Sequence, residues 1–323
     1  MQAMQIKEHG GIDLLGHVDI ESPPLKNGQA RIKVLGAGLN FADLLAIKGT
    51  YQDIPPLPFA PGMEIAGEVI EVADDADGVY VGDKVVAAPS CGGYATEVVT
   101  DCNNIWQSPA NMPHEEAAGF PIAYGTAELA LHDRAHLKDG EILLVHGAAG
   151  GVGLAAVQLG KAMGATVIAT AGSDEKCELA KKNGADFTIN YSCEDIKKRV
   201  LELVGKVDVV FDPVGGNAFY QSLKVMNPLG RILLIGFASN EVPRIPANHL
   251  LVKNVDVLGF YWGAYIKHDP KSVKESFNRL QKFYNSGRIK PHISASFPLA
   301  QATAALEALK SRKYSGKIIL TMD

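Results

Sequence analysis

The chain has 323 residues, of which 47% are apolar and 21% charged, and its formal net charge is −5. That length suits two domains better than one. The acidic balance supplies neither the basic field that nucleic acid requires nor a polybasic patch for a membrane surface, so neither partner is expected.

The opening MQAMQIKEHGG carries charges and glycines where a signal peptide needs an apolar block. No apolar run approaches the ~20 residues that span a bilayer. From there to about residue 120, short β-branched runs (Ala30 to Leu35, Glu64 to Val72, Asp83 to Ala88, Tyr94 to Val99) are punctuated by Gly, Pro and Asp, as in an irregular β domain. Cys91, Cys102, Cys177 and Cys193 form no C-x-x-C pair, a pattern that suits a reducing, cytoplasmic setting.

From Glu141 the rhythm changes. Candidate strands Ile142 to Val145, Thr166 to Thr170, Phe187 to Asn190, Asp208 to Phe211, Arg231 to Ile235 and Val255 to Phe260 alternate with helical stretches such as Glu175 to Lys182 and Glu194 to Val204. This is the βαβ signature of a parallel sheet, and six strands make a complete doubly wound nucleotide domain, so the fold class is α/β. The chain closes with a helix (Leu299 to Lys310) and a last strand (Lys317 to Thr321).

Between the first two of those six strands lies HGAAGGVGLAAVQLG, with Gly147, Gly150, Gly151 and Gly153. Glycines there allow a tight turn, close approach of backbone to a pyrophosphate, and packing of helix on strand. The helix N-terminus then offers free N–H groups to phosphate, and Ala149, Gly150, Gly151 and Val152 are the expected contacts. The second strand ends on Ala171-Gly172-Ser173 instead of the acid that would hold the adenine ribose of NAD. Gly172 leaves room, Ser173 offers a hydroxyl, Lys176 a counter-charge and Tyr191 a face for adenine, so NADPH is the expected cofactor. Two other readings stand beside this one: Ser173 as a plain helix cap, and Asp174 or Glu175 reaching the ribose.

With these residues in hand, the chain resembles the zinc-independent NADPH:quinone oxidoreductases of the medium-chain dehydrogenase/reductase superfamily. The resemblance rests on AGLNFADLLAIKGTYQ (37–52), PFAPGMEIAGEV (58–69), YGTAELAL (124–131), the glycine-loop segment (146–165), VDVVFDPVGG (207–216), GRILLIGFAS (230–239) and SGKIIL (315–320). It implies a GroES-like catalytic domain from 1–124 and 264–323, a Rossmann domain at 125–263, an active site in the cleft, and a homodimer. Zinc-dependent relatives carry a ligating Cys where this chain has Asn40, and Gly-His-Glu where it has Gly62-Met63-Glu64. An amide and a thioether beside one carboxylate make a poor zinc site, and no metal is expected.

The same resemblance places Asn40 and Asp43 near the nicotinamide, Tyr51 at the substrate oxygen and Thr126 beside the nicotinamide ring. It puts Phe237, Ala238, Ser239, Phe260, Trp262 and Gly263 at the carboxamide face, and turns Lys317 toward the cofactor side. Without a Lewis acid, a conjugated acceptor is the easier substrate, because its π-system spreads the charge that arrives with a hydride. A quinone or an enone is therefore expected. The alternatives are a defined enoyl substrate (a 2-haloacrylate, an enone or an enoyl thioester) and a non-catalytic NADPH-binding sensor on the same fold.

Overall fold

The computed structural model describes residues 1–322. The chain divides into two compact units, one of Met1–Ile122 with the segment from Pro291 onward, the other of Ala123–Lys290. Up to residue 122 it forms strands β1 (Gln2–Gln5), β2 (Gly16–Asp19) and β3 (Gln29–Gly38), helix α1 (Phe41–Lys48), strands β4 (Ile65–Val72), β5 (Lys84–Ala87), β6 (Glu97–Asp101) and β7 (Ile105–Gln107), and helix α2 (His114–Ala118). Helix α3 (Pro121–Leu129) leads into an alternation of β8 (Ile142–Val145), α4 (Gly151–Ala162), β9 (Thr166–Ala171), α5 (Asp174–Lys182), β10 (Phe187–Asn190), α6 (Ile196–Leu203), β11 (Val207–Asp212), α7 (Gly216–Val225), β12 (Met226–Leu234), α8 (Ala247–Lys253) and β13 (Asp256–Gly259). Helices α9 (Trp262–His268) and α10 (Pro270–Asn285) follow, then β14 (Ile293–Pro298), α11 (Ala302–Lys310) and β15 (Lys317–Thr321). No helix among the described residues is long and apolar enough to cross a membrane.

The first unit is built on a mixed sheet in the order β14-β15-β3-β4-β5-β7, with β6 also paired to β3. β3 alternates buried Ala30, Ile32 and Val34 with more exposed neighbours, the period-2 pattern of a half-buried strand. β4 pairs along one edge of β3, and β6 (opposite 29–33) and β15 (opposite 36–38) share the other. The last strand, β15, enters antiparallel beside β3, with Leu320 opposite Ala37. Both ends of the chain therefore share one sheet, and this pairing sets residue 317 beside residues 39 and 40. The expected strand at Tyr94 to Val99 is displaced to Glu97–Asp101, because the N-terminal segment claims its first residues: Met4 N donates to Tyr94 O, and Ala3 bridges Ala95.

The second unit holds a six-stranded sheet in the order β10-β9-β8-β11-β12-β13, every pair parallel. That is the doubly wound order, and it reverses between β8 and β11. Leu144, Ile168, Val210 and Ile232 form the middle of its core, which is why the central strands read as short continuous apolar runs. The sequence reading assigned residues 264–290 to the catalytic domain; in the structure they lie with the nucleotide unit. The cause is packing. α10 buries Val273, Phe277 and Leu280, Phe277 meets Trp262 with ring centroids 6.5 Å apart, and Arg279 grips the buried Glu128 at 2.5 and 3.0 Å. Gln158 of α4 adds a second tie: it accepts from Tyr124 Oη (2.7 Å) and Lys290 N (2.8 Å), and donates to Lys290 O (2.8 Å) and Asn183 Oδ1 (2.6 Å).

Candidate functional site

The strands of the nucleotide unit all run the same way, so the loops at their carboxyl ends share one edge. Between β8 and α4 the chain turns through Gly147, at φ +57°, and reaches α4 at Gly150, whose N-cap position carries no side-chain cap. The first-turn N–H groups of such a helix lack intrahelical acceptors. A Cβ at Gly153 would lie 2.2 Å from Gly147 O, so the loop closes onto the helix only with glycine there. A Cβ at Gly150 would meet nothing nearer than Gly147 O at 3.4 Å, and Gly150 faces outward. Ala149 is buried while Gly150, Gly151 and Val152 are accessible. This cradle, with its helix dipole and bare N–H groups, fits a diphosphate.

At the end of β9, Ala171 is buried and Gly172 and Ser173 are partly exposed. A Cβ at Gly172 would come within 2.8 Å of the Tyr191 hydroxyl, so Gly172 makes room for that half-exposed ring. Ser173 is the N-cap of α5, its Oγ accepting from Lys176 N at 3.3 Å. The helix-cap reading thus holds, and the hydroxyl keeps its own hydrogen for another acceptor. Asp174, the nearest acid, accepts from Asn190 Nδ2 at 2.7 Å. The rim therefore shows a hydroxyl, an amine-bearing side chain and a phenol, with its first carboxylate already engaged.

Further along the edge, Ala238 N and Ser239 N donate to Pro213 O and Val214 O, binding the loop after β12 onto the one after β11. Asp212, fully buried at the end of β11, shapes that second loop by accepting from Val214 N and Gly215 N, both at 2.8 Å. Phe237 is 39% exposed at its rim. Phe260 is buried against Tyr265, and Trp262 lies against Gly125, where a Cβ would meet the indole at 2.9 Å. Trp262 is a packed core aromatic, so what it and Gly263 present to this edge is backbone. Thr126, next to Gly125 on α3, is buried.

The remaining expected residues belong to the other unit, where they form a buried polar cluster. Lys317 Nζ donates to Leu39 O (2.7 Å), Asn40 Oδ1 (3.0 Å) and Glu64 Oε1 (2.5 Å). An ammonium has three hydrogens, and all three are used here. Its charge is therefore directed into this cluster. Asn40 Nδ2 donates to Glu64 Oε1 at 2.9 Å and more weakly to Gly38 O, and Glu64 Oε2 accepts from Ile122 N at 2.8 Å. Asp43 is fully buried, its Oδ2 accepting from Tyr94 Oη and Asn40 N, both at 2.8 Å, while its Oδ1 has no hydrogen-bond partner. Burial pushes the Asp43 carboxyl up to about 6, against the pull of those two donors. Tyr51 stands outside this cluster, in the loop after α1, packed on the core of the unit.

Sequence reasoning weighed Glu64 only as a metal ligand and singled out neither Tyr94, which with Glu64 completes this cluster, nor His146. An acid in the apolar run GMEIAG was the available signal for Glu64. His146 is buried under the glycine loop, with Nδ1 2.9 Å from Thr170 Oγ1 and Nε2 2.7 Å from Ser222 Oγ; burial holds its basicity below the usual histidine range. Among the described residues, no group of three or more His, Cys, Asp or Glu side chains is placed to hold a metal ion.

Residues 26–138 match the alcohol dehydrogenase GroES-like domain family, and residues 151–282 match the zinc-binding dehydrogenase family. The chain is 41% identical to quinone oxidoreductase-like protein 2 of Bos taurus over 307 residues, covering 94% of this chain and 88% of that protein. Among solved structures it is similar to a quinone oxidoreductase of Pseudomonas syringae pv. tomato DC3000, with a TM-score of 0.92 at 34% identity over 99% of both chains. It is also similar to the Escherichia coli quinone oxidoreductase, solved as a complex with NADPH, with a TM-score of 0.91 at 31% identity over 99% of this chain and 100% of that one.

Proposed function

Because the chain belongs to the quinone oxidoreductase family of medium-chain dehydrogenases/reductases, we propose that it is an NADPH-dependent reductase that delivers a hydride to a quinone or an activated α,β-unsaturated carbonyl. The observation that carries the reading is the rim of β9. Ser173, Lys176 and Tyr191 stand where β9 ends on Ala171-Gly172-Ser173 instead of an acid, with Asp174 held by Asn190, at the same sheet edge as the uncapped N-terminus of α4. That edge suits a dinucleotide with an additional ribose phosphate. The NADPH complex of the E. coli relative supports it.

When bound, NADPH supplies the hydride from its nicotinamide. The chain's part is to hold and orient. Ala149, Gly151 and Val152 meet the diphosphate through backbone N–H groups, and Gly150, whose own N–H is held by Gly147 O at 2.9 Å, leaves room for its approach. The free hydroxyl hydrogen of Ser173 and the Lys176 ammonium meet the ribose phosphate, and Tyr191 covers the adenine. Thr126 and the backbone of 237–239 and 260–263 flank the nicotinamide. Tyr51 donates to the substrate oxygen. Asn40 shapes the catalytic unit instead of donating to substrate, because both ends of its amide are held by Glu64 and Lys317. Asp43 acts through the backbone of Asn40.

The reaction is proposed to be zinc-independent. The carboxylate of Glu64 already balances the Lys317 ammonium, and the neighbouring Asn40 and Met63 are poor zinc donors. The protein is further proposed to be a cytoplasmic homodimer; its four cysteines are free thiols, as a reducing compartment requires.

A spectrophotometric screen of NADPH oxidation against 1,4-benzoquinone, naphthoquinones, small enones and 2-haloacrylates tests the reading, with one aliquot first dialysed against a chelator. Turnover with at least one quinone or enone, unchanged by the chelator, is expected. NADPH binding without oxidation by any acceptor would make the protein a sensor, and loss of turnover on chelation would bring back the metal.

A further inference from the structure

The buried histidine beneath the glycine loop is absorbed by none of the roles above, and its surroundings are directional. Ser222 Oγ donates to Ala218 O at 2.9 Å, one turn back along α7. Its oxygen is thereby the acceptor toward His146 Nε2 at 2.7 Å, which puts the imidazole hydrogen on Nε2. Nδ1 is left as an acceptor, and Thr170 Oγ1 donates to it at 2.9 Å. The chain runs Thr170 to His146 to Ser222 to Ala218 O, each link with one donor and one acceptor. All three side chains are buried.

What this chain connects is specific. Thr170 is held twice by residues on either side of Gly147, through its hydroxyl to His146 and through its carbonyl, which accepts from Ala148 N at 3.0 Å. The residues that follow it, Ala171 to Ser173, form the rim assigned to the ribose phosphate. Thr170 therefore sits where the two halves of the proposed cofactor cradle meet. His146 joins that point to α7, and its own N–H donates to Phe211 O at 3.0 Å, the strand on its other side. A buried hydrogen-bond network with every member satisfied fixes geometry more firmly than apolar packing of the same volume.

We propose that Thr170 and His146 are positioning residues for the cofactor: the hydroxyl–imidazole link sets the spacing between the glycine loop and the 171–173 rim. The inference rests on the NADPH reading of that edge. It makes the hydroxyl, not the bulk, of residue 170 the determinant of affinity.

The test compares Thr170→Val, which keeps the shape and loses the donor, with Thr170→Ser, which keeps the donor. NADPH dissociation constants are read by fluorescence titration, and melting temperature is recorded for each variant. Thr170→Val is expected to weaken NADPH about tenfold, with kcat at saturating NADPH within about twofold of wild type, as for a lost buried hydrogen bond that serves binding. Thr170→Ser is expected to bind within about threefold of wild type, the methyl group being secondary. Equal affinities for Thr170→Val and wild type would overturn the proposal, and so would equal weakening by both substitutions, which would assign the effect to packing. Should Thr170→Val fail to fold, Ser222→Ala reads the same chain from its far end. A loss of about threefold is expected there and no loss would overturn the link. Wild-type protein that does not bind NADPH at all would sink the cofactor reading itself, a result distinct from any of these.

Discussion

At Asp43, burial and hydrogen bonding pull in opposite directions, and burial wins. The carboxyl is raised from 3.8 to about 6 although Tyr94 and the Asn40 backbone both donate to it. The sign of the consequence follows from linkage. Between pH 3.8 and about 6 the folded protein holds a proton that the unfolded chain has released, so this group's favourable contribution is present at low pH and is lost as pH rises through about 6. Above that, the ionised carboxylate is buried at a cost of about 3 kcal/mol, from roughly two pKa units at about 1.4 kcal/mol each. Asp43→Asn keeps an acceptor for Tyr94 and Asn40 and carries no charge. Thermal melts should find it more stable than wild type at pH 8, with the difference shrinking as pH falls below about 6 and closing only below pH 3.8; parallel melting curves across that range would contradict the assignment. Lys176 offers a second test at this scale. If its ammonium meets the ribose phosphate, Lys176→Ala should weaken NADPH by about ten- to a hundredfold, the worth of a charge-assisted bond, and leave NADH unchanged. Equal weakening of both cofactors in a titration would place Lys176 elsewhere.

The glycine loop separates two demands that sequence alone merges. Gly153 is required by the fold, since a Cβ there would strike the backbone of Gly147 at 2.2 Å. Gly150 has an extended backbone (φ −80°, ψ 169°) that any residue adopts, and a Cβ there would meet only Gly147 O, at 3.4 Å. Gly150→Ala should therefore melt like wild type yet bind NADPH at least about tenfold more weakly, because the methyl stands where the diphosphate approaches. Gly153→Ala should lose stability by about 1–3 kcal/mol or more even without cofactor. If Gly150→Ala binds NADPH as wild type does, the diphosphate does not sit on that backbone. Elements of this kind were legible in the sequence. The strands at 142–145, 187–190 and 317–321 begin and end where the sequence reading set them. The site in the first unit was only half legible. Asn40 and Asp43 lie in a local motif, but the partner that commits Asn40 comes from 277 residues away by way of the β15–β3 pairing. No local pattern reports a register of that kind, so Lys317 was expected at the cofactor and is found in a buried ion pair.

On the scale of the whole molecule, the sheet of the nucleotide unit is open, with β10 at one edge and β13 at the other. β13 is the last strand in the order, and among the described residues no strand pairs with its outer side. Just ahead of it in sequence, α8 buries none of its residues, and Leu251 and Val252 are 78% and 77% exposed, with Val242 and Ile245 exposed in the preceding segment. Soluble proteins blunt sheet edges with charge, bulges or a covering element, and large apolar side chains so fully exposed mark a surface that another chain covers. A second copy, pairing across a two-fold axis, would satisfy the edge of both protomers at once. The proposed homodimer is therefore expected to form here. Leu251→Glu with Val252→Glu places two charges per protomer on that face, opposite their own symmetry mates. Light scattering after gel filtration should find the wild type at twice the chain mass and the double variant at the monomer mass. NADPH affinity should be unchanged, since α8 contributes none of the residues assigned to the cofactor. A double variant that stays dimeric would move the interface off this edge, and a monomeric wild type would remove the dimer altogether.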